Sequence, residues 1–341
     1  MAVPRGSRSS IGVVAAVKPA PFQYLAPRSL DEALGALAAG DDCKILAGGQ
    51  SLIPVLNMRL AAPKQLVDLG RVAALAGINE RDGGFAIGAM TRQRAVERDS
   101  RIVRDVPLLA EAITYVGHPQ IRNRGTLGGS IAHGDPAAEL PAVAVCLDAQ
   151  LTIQSARGTR TIPASDLYLG YLTTTLEPDE LLTEVWFPKT VSGSGHAWIE
   201  FARRHGDYAL AGVGVTLTVA DRVITEARIA LTGVGGTPVR ASAAEAILTG
   251  ARPKADGRLL TMQLAAVADA VRDAIEPDAD VHATVAYRRH LAGVLTERAI
   301  QLAYTRALAQ ASQVEVVPGD APAAGAEQVG AVDEQESAPD A

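Results

Sequence analysis

Apolar positions fall into short runs broken by turn residues in the first half of the chain, and into three long runs followed by helical patterns in the second. Ser29 and Glu32 form an S-x-x-E capping box, which predicts a helix stopping near Gly40. A strand over 43–47 follows, then a double glycine and a helix over 51–57. "QLVDL" (65–69) and "FAIGAM" (85–90) read as strands, and Thr91 as the cap of a helix through about Arg98. Helices are predicted over 107–116 and 137–147, with a segment rich in turn residues between them. A hairpin centred on "ARGT" and a strand over "ELLTEVWFP" complete this half.

From "VSGSG" (191–195) the pattern changes. "HAWIEFARR", "LAGVGVTLTVA" and "VITEARIALTGV" are three long strands, with Ala220 and Asp221 as the tight turn between the last two. Helices are predicted over 241–249, 258–274 and 283–309. Consecutive strands followed by a run of helices predict a separate α+β domain. The boundary is placed near 192, in a polar stretch read as flexible.

One junction poses a chemical question. In "KILAGGQSLIP" (44–54) a strand runs into Gly48 and Gly49, then Gln50 and Ser51. Glycines permit positive φ and close approach, and consecutive amides in such a turn converge on an anion. Gly–Gly pairs also stand at 83, 128 and 235, so a pair alone marks only a turn. The pair at 128 has richer company: Thr126, Gly128, Gly129 and Ser130 offer hydroxyls and amides, with Asp135 and Glu139 as acceptors beyond. Two such loops could hold one dinucleotide between them, or be two unrelated turns.

Composition narrows the classes. The net charge of −6 comes from residues 311–341, which carry seven acidic side chains and no Lys or Arg; the rest has 32 basic and 31 acidic residues. That tail reads as a disordered acidic appendage, and residues 1–19 as a disordered extension. The body shows no basic face for nucleic acid and no apolar stretch long enough to span a membrane. The N-terminal apolar run, Ile11 to Val17, is too short for a convincing signal peptide, so a cytoplasmic location is expected. Cys43 and Cys146 alone cannot hold an iron–sulfur cluster or a structural zinc. Redox chemistry would need an organic cofactor or a partner chain.

Familiar nucleotide motifs are missing. There is no G-x-x-x-x-G-K-[ST], and Gly212-Val213-Gly214 lacks the third glycine of a Rossmann fingerprint. His118 and His133 lack metal-ligand spacing. Ser130, His133 and Asp135 lack the elbow of a hydrolase triad. "FARRHGDYALAG" is either a solvated turn or an aromatic lid beside a ring.

"AGGQSLIPVLNMRL", "PQIRNRGTLGGSIAHGDPAAELPA", "FARRHGDYALAG", "RIALTGVGGTPVRA" and "AYRRHLAGVL" occur in that order. Together, over about residues 20–308, they resemble the FAD-binding medium subunit of molybdenum hydroxylases, the family of the carbon monoxide dehydrogenase medium chain and the xanthine dehydrogenase FAD subunit. The resemblance implies an α+β fold: a two-subdomain FAD-binding domain of the para-cresol methylhydroxylase type over 20–192, then a flavoprotein C-terminal domain over 198–308 with a three-stranded antiparallel sheet and helices. It implies that Gly48, Gly49, Gln50 and Ser51, flanked by Leu46, Ala47, Leu52 and Ile53, form the first FAD pyrophosphate loop. Thr126, Gly128, Gly129 and Ser130 would form the second. Asp135 and Glu139 would approach the adenosine part or the flavin edge, and Leu182 and Tyr208 the isoalloxazine.

The implied function is electron transfer, from the [2Fe–2S] clusters of a small subunit, fed by a molybdopterin large subunit, through FAD to a terminal acceptor. The implied assembly is a dimer of heterotrimers. Gln50 stands where many relatives have His, and Ser130 where many have Asn. The cysteine-rich insertion of the 4-hydroxybenzoyl-CoA reductase branch is missing. A stand-alone FAD oxidase and a non-enzymatic nucleotide-binding module are the alternatives from other classes. The former calls for a base beside the flavin and often a covalent link, for which His133 is the loop histidine available.

Overall fold

The computed structural model describes residues 17–253 and 261–314. Most of the N-terminal extension, the start of the helix expected from 258, and nearly all of the acidic tail lie outside them.

The first subdomain is a small parallel sheet. β1 (Gln23–Leu25) leads to α1 (Leu30–Ala39), β2 (Cys43–Leu46), α2 (Leu52–Asn57) and β3 (Gln65–Asp68), with β3 central in the order β1-β3-β2. The Ser29 half of the capping box forms, while Glu32 reaches back one residue beyond the cap. Ser29 Oγ accepts from Glu32 N at 3.1 Å, and Arg28 N donates to Glu32 Oε2 at 2.7 Å. Ala33, Leu34 and Leu37 turn inward onto Val67, Leu69 and Leu75.

The second subdomain is antiparallel. β4 (Ile78–Arg81) and β5 (Gly84–Gly88) are followed by α3 (Gln93–Arg98), α4 (Ser100–Asp105), α5 (Pro107–Ile113), α6 (Pro119–Arg124), α7 (Leu127–His133) and α8 (Glu139–Cys146). Then come the β6 (Gln150–Ser155) and β7 (Gly158–Pro163) hairpin, a small hairpin of β8 (Tyr168–Gly170) and β9 (Thr173–Thr174), and β10 (Leu181–Pro188). The sheet order is β4-β5-β10-β6-β7. Phe85, Ile87, Leu109, Ile113, Leu140, Leu151 and Val185 fill its core. The turn-rich segment before α8 thus holds two short helices, because Pro119 at a helix start and Thr126 as an N-cap each begin one.

The third unit pairs β11 (Ser194–Phe201), β12 (Ala211–Ala220), β13 (Val223–Thr232) and β14 (Val239–Arg240) in that order, four strands where three were expected. α9 (Ser242–Leu248), α10 (Thr261–Ala274) and α11 (Val285–Val314) pack on it. The β12–β13 turn is one residue later than expected. Asp221 and Arg222 both have positive φ, 51° and 61°, between the paired Ala220 and Val223. This geometry matches the right-handed twist of the strands.

Two further expectations change. α11 continues to Val314, past the composition break at 311. Only the first two residues of "VSGSG" are exposed; 193–195 are packed, and Gly195 sits in β11 with its Cα against the α11 backbone at Ala303 and Ala307. The units are joined firmly. Trp198 of β11 is 1% exposed and belongs to the core of the second subdomain. Arg306 of α11 donates to Glu111 Oε2 of α5 and to His196 O, each at 2.8 Å.

Candidate functional site

β2 and β3 run parallel, so their carboxyl ends open on one side, where irregular backbone is free to meet a ligand. The Ala47–Ser51 turn leaves β2 at this edge. Gly49 has φ 76°, and Ile53 N closes the turn on Gly49 O at 3.1 Å. Gln50 Nε2 folds back onto Gly48 O at 3.2 Å, and Ser51 caps α2 with no side-chain hydrogen bond. The backbone amides of Gly48, Gly49, Gln50 and Ser51 donate to no acceptor among the described residues. Leu46, Leu52 and Ile53 remain only half-buried beside them.

The Gly125–Ser130 loop is built differently. Its amides are spent inside the protein. Leu127 N donates to Thr91 O at 3.0 Å, Gly128 N to Ala89 O at 2.9 Å, and Ser130 N to Thr126 O at 3.2 Å. Gly129 N donates to Thr126 Oγ1 at 3.1 Å, the N-cap of α7. The expected row of exposed amides in this second loop is therefore replaced by a rigid helix start, with Thr126 buried and its hydroxyl serving as the cap, and Ser130 half-buried beside it.

The two loops touch. A Cβ on Gly48 would lie 2.8 Å from Gly125 Cα, and one on Gly129 would lie 3.1 Å from Ala47 Cβ and 2.6 Å from Thr126 Oγ1. Glycine is required at both positions for the loops to meet, before any ligand is considered. Arg92 holds the second loop: it bridges Thr126 in a short antiparallel pairing, and its guanidinium donates to Arg124 O. Burial, then Arg124, lowers the Arg92 pKa.

Residues 89–93 were missed as site residues. Thr91 is not the helix cap expected of it. Its hydroxyl binds Gly77 N and O at 2.9 and 3.0 Å, and α3 is capped by Arg92. The strand pattern of "FAIGAM" gave no sign that Ala89 and Thr91 carbonyls would hold the second glycine loop.

Beyond α7 the chain turns at Gly134 (φ 66°) into a group of acids. Asp135 Oδ1 accepts from Ala137 N at 2.9 Å, and Glu139 opens α8, 7% exposed. Burial, then Glu200 and Asp135, pushes Glu139 up to about 8. Tyr208 reaches this group from the β11–β12 connection. Tyr208 is 63% exposed as a residue, and partial burial with the Asp135 and Glu139 charges pushes its phenol up to about 12. Arg288 anchors that connection through Leu210 O at 2.7 Å and Gly233 O at 2.9 Å. Leu182, at 3% exposure, belongs to the buried cluster that includes Leu127 and Ile131, beneath the second loop. The expected residues therefore form two paired loops, an adjoining acid–tyrosine group, and one core support.

An anion fits such an arrangement: four unpaired amides at one turn, and a second loop whose glycines permit close approach. The description "FAD binding domain in molybdopterin dehydrogenase" matches residues 20–190, and "CO dehydrogenase flavoprotein C-terminal domain" matches residues 196–303. The chain belongs to the FAD-binding subunits of molybdenum hydroxylases.

Relatives of this flavoprotein subunit agree. The carbon monoxide dehydrogenase medium chain of Afipia carboxidovorans is 37% identical over 85% of this chain and 99% of its own length. Subunit alpha of the 6-hydroxypseudooxynicotine dehydrogenase complex of Paenarthrobacter nicotinovorans is 46% identical over 66% of this chain and 76% of its own. The solved carbon monoxide dehydrogenase of Hydrogenophaga pseudoflava lacking the Mo-pyranopterin moiety superposes with a TM-score of 0.81 at 38% identity, covering 84% of this chain and 99% of that one. This flavoprotein subunit is accordingly an oxidoreductase component, and its FAD-binding domain precedes its C-terminal flavoprotein domain.

Proposed function

We propose that this subunit is the flavin relay of a three-subunit molybdenum hydroxylase, working in the cytoplasm as part of a dimer of heterotrimers. When bound, FAD supplies electron transfer between the [2Fe–2S] clusters of a small subunit, themselves fed by a molybdopterin large subunit, and a terminal acceptor.

The observation that carries this reading is the row of unpaired amides at Gly48–Ser51 facing a loop that touches it. These amides would meet the FAD diphosphate, each such bond to a charged group contributing about 1.5–3 kcal/mol. They do so without the entropy cost of ordering long cationic side chains. Gln50 and Ser51 would add side-chain donors, with Ala47, Leu46, Leu52 and Ile53 as the apolar rim. Gly128 and Gly129 would bring the second loop close, Thr126 would fix it as the cap of α7, and Ser130 would offer its hydroxyl. Asp135, Glu139 and Tyr208 would stand towards the flavin or adenosine ends, with Leu182 supporting the wall. The chain itself binds, orients and shields; the redox chemistry belongs to the cofactor.

The test is purification of the tagged subunit from its native host. One FAD per chain, released on denaturation, together with co-purifying small and large subunits, is the expected result. A covalently attached flavin on a solitary chain would instead favour the stand-alone oxidase.

A further inference from the structure

A cleft of about 550 Å³ lies where the first subdomain passes into the second. One wall is the connection from β3 to β4, which holds two single helical turns, Leu69–Arg71 and Ala73–Leu75. The other runs from Met90 to Arg101, through α3 into α4. No residue of Gly48–Ser51 or Thr126–Ser130 lines it. Leu69, Val72 and Met90 are its buried apolar floor, and Ala73, Ala76 and Ala95 stand exposed around it.

The charges lining this cleft are one-sided: Arg92, Arg98 and Arg101 against Asp99. Asp99 is spent on Arg101, which donates to it through Nη2 at 2.6 Å and Nε at 3.0 Å, and through its backbone N at 2.9 Å. Arg92 and Arg98 form no ion pair among the described residues. Asp68 attracts Arg92 from outside the cleft, but its oxygens are taken by the Tyr24 hydroxyl and by Gly70 N at 2.8 Å. An apolar floor with two uncompensated guanidinium groups is the chemistry that recognises an organic anion. The floor takes the body, and charge-assisted bonds take the head.

The same wall is the scaffold of the second glycine loop. Thr91 O accepts from Leu127 N at 3.0 Å, and Arg92 pairs with Thr126. The Arg92 guanidinium donates to Arg124 O, the atom that a Cβ on Gly48 would meet at 2.5 Å. Arg92 thus reaches from the cleft to the contact between the two loops.

We propose that this cleft binds a small organic anion, a carboxylate on an apolar body, and that its occupancy tightens FAD binding through Arg92. The coupling rests on the FAD reading above; the binding does not. A guanidinium carries five N–H donors, so an anion engages Arg92 while the bond to Arg124 O persists. The anion offsets the like charge of Arg124 and takes freedom from Arg92. The second loop is then ordered before FAD arrives, and FAD loses less entropy on binding.

The probe is benzoate, titrated into the FAD-free full chain by ligand-observed NMR. Acetate supplies the charge without the body, and benzyl alcohol the body without the charge. Benzoate should bind more tightly than either. Arg98→Gln should weaken it about threefold, as for an exposed charge, and Ala95→Trp, which fills the cleft from α3, should abolish it. Ala76→Trp blocks from the opposite wall if Ala95→Trp does not fold. Benzoate that binds no better than benzyl alcohol, or that survives the tryptophan block, overturns the site whatever else the chain binds. Saturating benzoate should lower the FAD dissociation constant of the wild-type chain about fivefold and leave that of the blocked variant unchanged. Unchanged or weaker FAD affinity in the wild type overturns the coupling. A wild-type chain that binds no FAD removes the FAD reading and the coupling with it, and benzoate binding alone then judges the cleft.

Discussion

Gly48 and Gly125 stand so close that a Cβ on the first would lie 2.8 Å from the Cα of the second. The glycines of this cleft therefore serve loop-to-loop contact as well as access for a diphosphate. Gly48→Ala should force the loops apart, costing about 1–3 kcal/mol as overpacking does, and should sharply reduce FAD content. Absorbance at the flavin band per chain, with a thermal melt, checks both. A variant with wild-type flavin content would contradict the paired-loop site.

Thr126→Ala tests the second loop separately. It removes the Gly129 N to Thr126 Oγ1 cap and should destabilise the protein by about 1 kcal/mol. The loss should reach FAD affinity only through looser positioning of α7. Denaturant unfolding and FAD titration separate the two effects, and Thr126→Ser should restore most of the stability.

His196 should govern part of the acid response. It is 17% exposed at the side chain, 3.6 Å from Glu111, and burial lowers it from 6.5 to about 4 against the pull of that carboxylate. The unfolded chain thus binds a proton that the folded chain refuses between these values. The associated stability is present above about 6.5 and is lost as the pH falls to about 4, an effect on the order of 3 kcal/mol. In His196→Asn the melting temperature should fall less steeply over this window; an identical slope would assign the acid response elsewhere.

Tyr208→Ala should leave stability within about 0.5 kcal/mol, because most of the residue's surface is exposed. It should shift the flavin absorption bands and alter reoxidation by an external acceptor, while reduction from the iron–sulfur side stays nearly unchanged. Unchanged bands and reoxidation would reduce Tyr208 to a surface aromatic. A deletion of 315–341, beyond the end of α11, should in contrast change neither FAD content nor assembly, as read by gel filtration of the complex.

Local chemistry was legible in the sequence. The Ser29–Glu32 box, the strand into Gly48–Gly49, the long strands of the C-terminal domain and the turn-rich run before α8 each depend on neighbours a few residues away, where backbone preference and side-chain hydrogen bonds act. The motifs in order also identified the family. Tertiary structure alone decided what lay between distant segments: that β3 sits centrally, that Thr91 and Ala89 carbonyls consume two amides of the second loop, and that Thr232 of β13 fastens the start of α8 to the C-terminal sheet. The physical reason is that a hydrogen-bond donor is the same residue whether its acceptor is water, a ligand or a remote carbonyl. Which amides stay free, and which carboxyls lose their water, is settled only when the sheets close on one another.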